Sequence, residues 1–295
     1  MNRSSQSIGL IGMGLLGKAM AERMLQYGLT VVGYDKDPER CSQFTALGGQ
    51  AVADAKAVVA SAKVSACLLS LPDSQVVGQV VQQIESDLPN GFVIIDTTTG
   101  QPEASEQLAD RLWKDYSVDL LDATVGGSSQ QMVRGESILT VGGRGEAFAA
   151  QRSLLGVLSD KVFHVGPPGS GARMKLVVNT AIGLHRAVLA EALALARAFE
   201  LDLEMTLAIL KSSPAYSQAM DVKGHKMVQA DFEPQARLSQ HLKDVRLILE
   251  AGRQRKQTLP LSELHERLLQ EIEDRGLGDR DNSVVVRAWF EDDEQ

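Results

Sequence analysis

Residues 8–17 read Ile8-Gly9-Leu10-Ile11-Gly12-Met13-Gly14-Leu15-Leu16-Gly17, an apolar run followed by three glycines in the spacing GxGxxG. The run predicts a buried strand, and Leu15–Tyr27 predicts a helix. In this context the first glycine permits a tight turn, the second lets the backbone approach a pyrophosphate, and the third lets helix and strand pack closely. The stretch therefore predicts a dinucleotide-binding turn, with a ligand-free glycine turn as the alternative. Its cofactor-binding residues would be Gly12, Met13, Gly14, Leu15, Leu16 and Gly17.

Short apolar runs alternate with helical patterns over the first 165 or so residues. The predicted strands are Ile8–Ile11, Val31–Tyr34, Val64–Leu69, Phe92–Asp96 and Val118–Leu121, with Ile138–Val141 and Val162–Val165 extending the sheet. The predicted helices between the first five strands are Leu15–Tyr27, Pro38–Leu47, Ser74–Ile84 and Pro102–Trp113. Apolar runs without alternation suit strands that are covered on both faces. The pattern predicts an α/β fold with a Rossmann-type, doubly wound parallel sheet.

Gly166-Pro167-Pro168-Gly169 is the strongest interruption in the chain. After it the patterns are helical, and the one strand-like run is Val284–Val286. The first pattern, Ala172–Phe199, would span roughly 40 Å at the usual rise per residue. Further helices are expected at Leu203–Lys211, Ala219–Val228, Leu238–Gln254 and Leu261–Arg275. We predict a Rossmann domain at 1–166 and an all-helical substrate and oligomerisation domain at 167–295, joined by a long interdomain helix.

Composition and charge limit the possible partners. The chain has 295 residues and a net charge of −8, which argues against general binding to nucleic acid or an anionic membrane. Its two cysteines, Cys41 and Cys67, lack metal-ligand spacing, and no metal is expected. Reduced thiols, the absence of a signal-peptide pattern and the absence of a long uncharged apolar run predict a cytoplasmic protein. The acidic ending, Glu291–Glu294, predicts a solvated tail.

Polar residues follow three of the predicted strands. Asp35 ends the second strand, where an acidic residue accepts hydrogen bonds from the adenosine ribose and disfavours a 2′-phosphate. NAD is therefore favoured, with NADP possible because Lys36 and Arg40 lie close by. Leu71-Pro72 and Thr97–Thr99 follow the third and fourth strands, at the edge where ligands bind in such sheets. The alternative for the threonines is capping of the next helix.

Lys175 and Asn179 lie four residues apart in the stretch Gly169–Asn179, so they share a helix face. Facing a cofactor, a lysine with a lowered pKa could serve as a general acid or base, with the asparagine as its hydrogen-bonding helper. Facing solvent, the pair would be an ordinary polar helix surface. The five histidines are scattered without ligand spacing, and they are weaker candidates for the acid/base.

Several ordered motifs together resemble the β-hydroxyacid dehydrogenase family, which includes 3-hydroxyisobutyrate dehydrogenases and tartronate semialdehyde reductases. The resemblance covers nearly the whole chain. The matching segments are Ile8–Gly17, Leu71-Pro72-Asp73, Asp96–Thr99 (D-x-S-T, with Thr98 at the serine), Asp122–Gly143, Gly169–Asn179 (G-x-x-x-x-x-K-x-x-x-N), Lys243-Asp244 and Gly276–Ser283.

The resemblance implies interconversion of a short 3-hydroxy acid and its semialdehyde with NAD or NADP, in a homodimer or homotetramer built through the helical domain. Lys175 would then be the acid/base, and Asn179 would hold the substrate oxygen. The implied cofactor contacts beyond the glycine turn and Asp35 are Leu71, Pro72, Thr98 and Lys243. The implied substrate contacts are Thr124, Gly126, Gly127, Ser128, Lys175, Asn179 and Lys243. Lys243 could instead form a surface ion pair.

The substrate loop departs from the family pattern D-x-P-V-S-G-G. Thr124 replaces the proline, Gly126 the serine and Ser128 the last glycine. Backbone amides around Gly126-Gly127 could still bind an anion. We expect a rearranged acid-binding end that suits a different acid or a bulkier substituent.

Three alternatives share parts of this pattern. Imine reductases on the same scaffold replace the lysine, so Lys175 argues against them. A 6-phosphogluconate dehydrogenase resembles the first domain but has a much longer helical portion. A non-catalytic NAD(P)-binding or chromatin-reading relative would be expected to lose the lysine or to carry additional basic modules.

Overall fold

The computed structural model describes residues 7–61 and 64–290. The acidic ending, Glu291–Glu294, lies outside the described residues. The chain forms two compact units that divide between Lys175 and Leu176. This division falls inside a long helix, whereas the sequence predicted a domain boundary at 166. The functional domains 1–166 and 167–295 stay a prediction.

The first unit contains one eight-stranded sheet in the order β3-β2-β1-β4-β5-β6-β7-β8. Its strands are β1 (Ser7–Ile11), β2 (Thr30–Tyr34), β3 (Gln50–Ala51), β4 (Val64–Leu69), β5 (Val93–Asp96), β6 (Asp119–Gly126), β7 (Ile138–Gly142) and β8 (Lys161–Gly166). Neighbouring strands are parallel, except that β7 runs antiparallel to β6. The strand order reverses between β1 and β4, which confirms the doubly wound Rossmann-type sheet and places a switch point there.

Twelve α-helices occur in the described part of the chain. They are α1 (Leu15–Gln26), α2 (Pro38–Ala46), α3 (Ala55–Ala60), α4 (Ser74–Ile84), α5 (Pro102–Tyr116), α6 (Ser129–Arg134), α7 (Gly145–Leu158), α8 (Ser170–Ala198), α9 (Leu203–Ser212), α10 (Gln218–Val228), α11 (Leu238–Gln254) and α12 (Pro260–Ile272). Short 3-10 helices cover Glu85–Asp87 and Asn282–Ala288, and a π-type turn covers Glu273–Leu277. Aspartates cap the first amides of α2, α3, α4 and α9, which fixes where these helices begin.

Apolar layers cover both faces of the sheet. Along β4, Ala66 and Leu68 belong to one buried cluster, whereas Cys67 and Leu69 belong to the other. Successive side chains of a strand point to opposite faces. A strand covered on both faces is therefore apolar at most of its positions, which is why apolar runs without alternation predicted these strands.

The sequence missed three short elements and misassigned one. The two-residue β3 and the six-residue α3 and α6 are too short to show a period. Val284–Val286 was predicted as a strand, and this prediction was wrong because these residues lie in a buried 3-10 helix. A run of valines fits a strand by propensity. In the described part of the second unit, however, no sheet exists for it to join.

The second unit is helical and packs around α8 and α11. Leu189 and Leu193 of α8 are fully buried in its core together with residues of α10–α12. By length and mean hydropathy, 1.3 over an 18-residue window, α8 also meets the criteria for a membrane-crossing helix, and 33% of that window is buried in the protein. The core helix of a soluble protein can pass the same test, so this resemblance is weak.

Candidate functional site

The glycine turn lies at the switch point, after β1. Gly12 has φ +92°, and a Cβ there would lie 2.2 Å from the carbonyl oxygen of Ser70. A Cβ at Gly17 would lie 2.0 Å from the carbonyl oxygen of Gly12. Packing within the protein therefore requires the first and third glycines.

Gly14 differs from these two glycines. Its φ is −62°, and the nearest atom to a Cβ there would be Nη1 of Arg40 at 3.9 Å. Nothing in the described chain fills this space, and no described side chain caps the first amides of α1. The second glycine thus leaves open the approach that a pyrophosphate needs beside the free helix amides. The turn fits the NAD-type cofactor that its sequence predicted.

Asp35 follows β2 and is buried against the glycine turn. One carboxylate oxygen accepts a hydrogen bond from the Met13 amide at 2.6 Å, and the other accepts from the Asp37 amide at 2.9 Å. The Arg40 guanidinium lies 3.5 Å from Asp35 and 3.4 Å from Asp37. Two carboxylates therefore offset the charge of Arg40, and the preference for NAD over NADP stays a prediction.

The loops after β4 and β5 are joined by the predicted threonines. Thr97 donates its hydroxyl hydrogen to the Leu69 carbonyl at 2.8 Å, and the Thr98 hydroxyl accepts from the Leu71 amide at 3.2 Å. The Thr98 amide donates to the Asp96 carboxylate at 2.9 Å. Among the described residues, no side chain caps α5, so the threonines do not act as its caps. Instead they bring Leu71 and Thr98 together at the sheet edge.

The substrate loop leaves β6 and leads into α6. Gly127 has φ +133°, a conformation that favours glycine, whereas Gly126 has room for a side chain. Ser128 caps α6: its hydroxyl accepts from the Gln131 amide at 3.2 Å, and the Gln131 side chain accepts from the Ser128 amide at 2.8 Å. This capping box fixes the loop where it enters α6. The substrate-binding roles of Gly126, Gly127 and Ser128 stay predictions.

Thr124 is fully buried on β6. Its hydroxyl donates to the carbonyl oxygen of Gly171 at 3.0 Å and lies 2.9 Å from the Thr140 hydroxyl. It therefore joins the sheet to the first turn of α8. Its predicted substrate contact stays a prediction.

Lys175 lies on the second turn of α8 and is half-buried. Its ammonium donates a hydrogen bond to the carbonyl oxygen of Val125 at 2.6 Å. Val125 is the residue before Gly126, so the ammonium is held at the start of the predicted substrate loop. This placement distinguishes Lys175 from a lysine whose head group is simply solvated.

Asn179 follows on the same helix, one turn further along. Its side-chain amide donates to the Asp244 carboxylate on α11 at 3.1 Å. Hydrogen bonding at the amide nitrogen leaves the amide oxygen as an acceptor. Lys243 precedes Asp244 on α11 and is half-buried. The predicted contacts of Asn179 and Lys243 with substrate or cofactor stay predictions.

Sequence reasoning missed two interactions around these side chains. Asp122 holds the start of α8 through backbone amides, and Asp244 orients Asn179. Both aspartates stand inside motifs quoted for the family resemblance. The motif gave their positions, but it did not show that each one holds another part of the protein.

Family models match both parts of the chain. Residues 7–166 match the NAD-binding domain of 6-phosphogluconate dehydrogenase. Residues 169–289 match the NAD-binding domain of NADP-dependent 3-hydroxyisobutyrate dehydrogenase.

Individual relatives and structures agree with these matches. The chain is 30% identical over 289 residues to 2-(hydroxymethyl)glutarate dehydrogenase of Eubacterium barkeri, covering 97% of this chain and 95% of that protein. It is 27% identical over 291 residues to the cytokine-like nuclear factor N-PAC of Drosophila melanogaster, covering 97% of this chain and 48% of that longer protein. The structure of 3-hydroxyisobutyrate dehydrogenase from Salmonella typhimurium superposes with a TM-score of 0.87 at 23% identity, over 96% of this chain and 99% of that one. The chain belongs to the β-hydroxyacid dehydrogenase family of NAD(P)-binding oxidoreductases.

Proposed function

We propose that this protein interconverts a short 3-hydroxy acid and its semialdehyde or keto form, with NAD or NADP as the hydride carrier. The observation that carries the proposal is the position of the Lys175 ammonium, 2.6 Å from the Val125 carbonyl oxygen and next to the Gly126-Gly127 turn. A lysine at that point is within reach of a ligand that the loop amides hold. When bound, the nicotinamide ring accepts or supplies the hydride.

Lys175 serves as the general acid/base of the proposed reaction. Oxidation of an alcohol requires removal of its hydroxyl proton, and the reverse reaction requires its return. The Val125 carbonyl oxygen takes one of the three ammonium hydrogens. In the bound complex the ammonium donates to the substrate oxygen. Asn179 contributes its amide oxygen or nitrogen to the same substrate oxygen, and Asp244 orients the amide.

The proposed substrate carries a hydroxymethyl group on the carbon next to a carboxylate. Both 2-(hydroxymethyl)glutarate and 3-hydroxyisobutyrate, which appear in the names of similar proteins, have this arrangement. Backbone amides at Gly126-Gly127 would bind the carboxylate. The small Gly126 and the differently placed Ser128 favour an acid with a larger substituent than a methyl group. We expect best turnover on an acid other than 3-hydroxyisobutyrate.

Initial rates with NAD and with NADP on a panel of hydroxy acids test the substrate class. The panel contains 3-hydroxyisobutyrate and 2-(hydroxymethyl)glutarate, with 4-hydroxybutyrate as the control, because its alcohol lies one carbon further from the acid. Turnover of either branched acid above the control supports the proposal. Equal or higher turnover of 4-hydroxybutyrate contradicts it, and best turnover on 3-hydroxyisobutyrate refutes the expected larger substituent.

The lysine's role is tested by Lys175→Ala, with Lys114→Ala on the exposed face of α5 as the matched control. Loss of a general acid/base should lower kcat by about 10²–10⁴-fold. Cofactor affinity, measured by titration calorimetry, should stay within about threefold of the native value. A Lys175→Ala variant that keeps more than a few per cent of native kcat would refute the assignment.

We further propose a homo-oligomer in the cytoplasm. Val188 and Leu195 of α8 are exposed, at 62% and 57%, beside the half-buried Trp289. A second copy could cover this apolar surface. Light scattering after gel filtration should give a mass above that of one chain, and a monomer at micromolar concentration would refute the assembly. Cell fractionation tests the location.

A further inference from the structure

Asp122 stands in the middle of β6 with its carboxylate directed at the start of α8. Its side chain is buried, and each carboxylate oxygen accepts one backbone hydrogen bond. The Gly169 amide donates to Oδ1 at 2.9 Å, and the Ala172 amide donates to Oδ2 at 2.8 Å. A negative charge at a helix N-terminus is also favoured by the helix dipole. One side chain thus holds both ends of the turn that opens α8.

The same turn is pressed against the sheet backbone. A Cβ at Gly171 would lie 2.0 Å from the Asp122 carbonyl oxygen and 2.7 Å from that of Thr140. The Thr124 hydroxyl adds its hydrogen bond to the Gly171 carbonyl oxygen at 3.0 Å. Asp122 and Thr124 are two positions apart on β6 and therefore point to one face of the sheet. The first turn of α8 is thus fixed by side-chain and backbone contacts from a single strand.

Lys175 begins less than one turn beyond Ala172, and its ammonium returns to β6 at Val125. The strand therefore fixes the helix at its start and receives the lysine near its end. A change in the rotation or height of the first turn would move the ammonium relative to Gly126. Displacement of about 1 Å at a reacting group can cost about 10²-fold in rate.

We propose that Asp122 is a positioning residue for Lys175. Its carboxylate sets the first turn of α8 so that the ammonium is held at the Val125 carbonyl oxygen. The inference rests on the proposed function, since Lys175 must be the acid/base for its position to affect turnover. Asp122 itself is buried, and both oxygens are engaged by the backbone, so it acts through the lysine.

Asp122→Asn tests the inference, because the amide keeps one acceptor oxygen but replaces the other by a donor. We expect kcat to fall by about 10–100-fold, with the KM for NAD and the far-UV spectrum unchanged. Asp119→Asn is the matched control. It changes a carboxylate on the same strand that pairs with Arg144 at 3.7 Å, and it should leave kcat unchanged.

A double-mutant cycle separates positioning from a general structural defect. If Asp122 acts through Lys175, Asp122→Asn should change the residual rate by less than about twofold in a Lys175→Ala background. Residual rates are measured in single turnovers with enzyme in excess. An equal fall in both backgrounds, or no fall in the native background, overturns the inference. If Lys175→Ala is itself fully active, the proposed function fails first, and the inference fails with it.

Thr124→Val provides a second variant should Asp122→Asn not fold. It removes the hydroxyl donor to Gly171 and keeps the shape of the side chain. A kcat reduction of about 3–10-fold in the native background, absent in the Lys175→Ala background, supports fixation of the helix start by β6. Equal effects in the two backgrounds, or none, overturn it.

Discussion

Replacing Asp96 by asparagine should change how the stability of the first unit depends on pH. Asp96 is the last residue of β5, is buried, and lies in register with Asp122 of β6. Burial is the largest influence and raises the pKa of Asp96 from 3.8 to about 6, with a smaller contribution from the Asp122 charge. Hydrogen bonds from Thr98 oppose the rise. The folded protein therefore binds this proton more tightly than the unfolded chain does.

The sign and size of the effect follow from this difference in pKa. The raised pKa of Asp96 therefore adds to the free energy of unfolding at low pH. This contribution is fully present below pH 3.8 and is lost as the pH rises through about 6. A shift of about two pKa units corresponds to about 3 kcal/mol. Asparagine does not ionise, and its oxygen can still accept from the Thr98 amide. The native protein should thus lose about 3 kcal/mol between about pH 4 and pH 7.5 that Asp96→Asn does not lose. The difference in the free energy of unfolding, variant minus native, rises by that amount.

The two tryptophans allow the measurement to be confined to one unit. Trp113 lies in the first unit and Trp289 in the second, so Trp289→Phe leaves fluorescence that reports on the first unit alone. Urea unfolding in this background gives the free energy at each pH for Asp96→Asn and for Asp110→Asn, an exposed carboxylate on α5. The control should run parallel to its parent at every pH. If the stability of Asp96→Asn also changes with pH in parallel with that of its parent, the reasoning is refuted.

Three further predictions concern buried charges and the cofactor. Lys223→Met should destabilise the second unit by about 3–5 kcal/mol, because it leaves the buried Asp281 carboxylate without the ammonium now 2.8 Å away. Trp289 fluorescence during urea unfolding, in a Trp113→Phe background, measures this, and unchanged stability would contradict it. Burial lowers the pKa of His265 from 6.5 to about 4, so the second unit should lose up to about 3 kcal/mol as the pH falls through that range. His265→Gln should flatten this profile, and an unchanged slope would show that His265 is not responsible. Asp35→Asn keeps an acceptor for the Met13 amide but removes the charge, so the kcat/KM ratio of NADP to NAD should rise by about tenfold; a constant ratio would exclude Asp35 as the discriminating residue.

Local sequence patterns predicted the fold class because the sheet is covered on both faces. The largely apolar run Val64–Leu69 could be recognised as a strand without knowledge of its neighbours, since all of its positions except Ser65 are buried. Strand direction has no such signature. β7 is apolar like the others, yet it runs antiparallel to β6. The direction of β7 depends on the short connection through α6, and hydrophobic periodicity does not reveal a helix of that length.

The valine run at 284–286 shows where local propensity predicts the wrong secondary structure. Three valines favour a strand by propensity, but a strand requires a partner to satisfy its backbone groups. In the second unit the described neighbours of this run are helices, and the segment satisfies its own amides as a 3-10 helix. Propensity therefore predicted burial correctly and secondary structure incorrectly.

In the candidate site, the sequence motifs locate the functional residues but do not show what each side chain contacts. Asp35 and Asp122 were both read from patterns associated with ligand binding, and both carboxylates accept backbone amides from another element of the first unit. A buried carboxylate needs such donors, because an unpaired charge is costly to bury. The donors lie far away in sequence, so local pattern reading cannot identify them. Polar residues in a binding motif therefore divide into those that touch the ligand and those that hold the backbone beside it. For Asp122, the double-mutant cycle with Lys175→Ala tests whether the aspartate acts through the lysine, because the effects of the two substitutions then do not add.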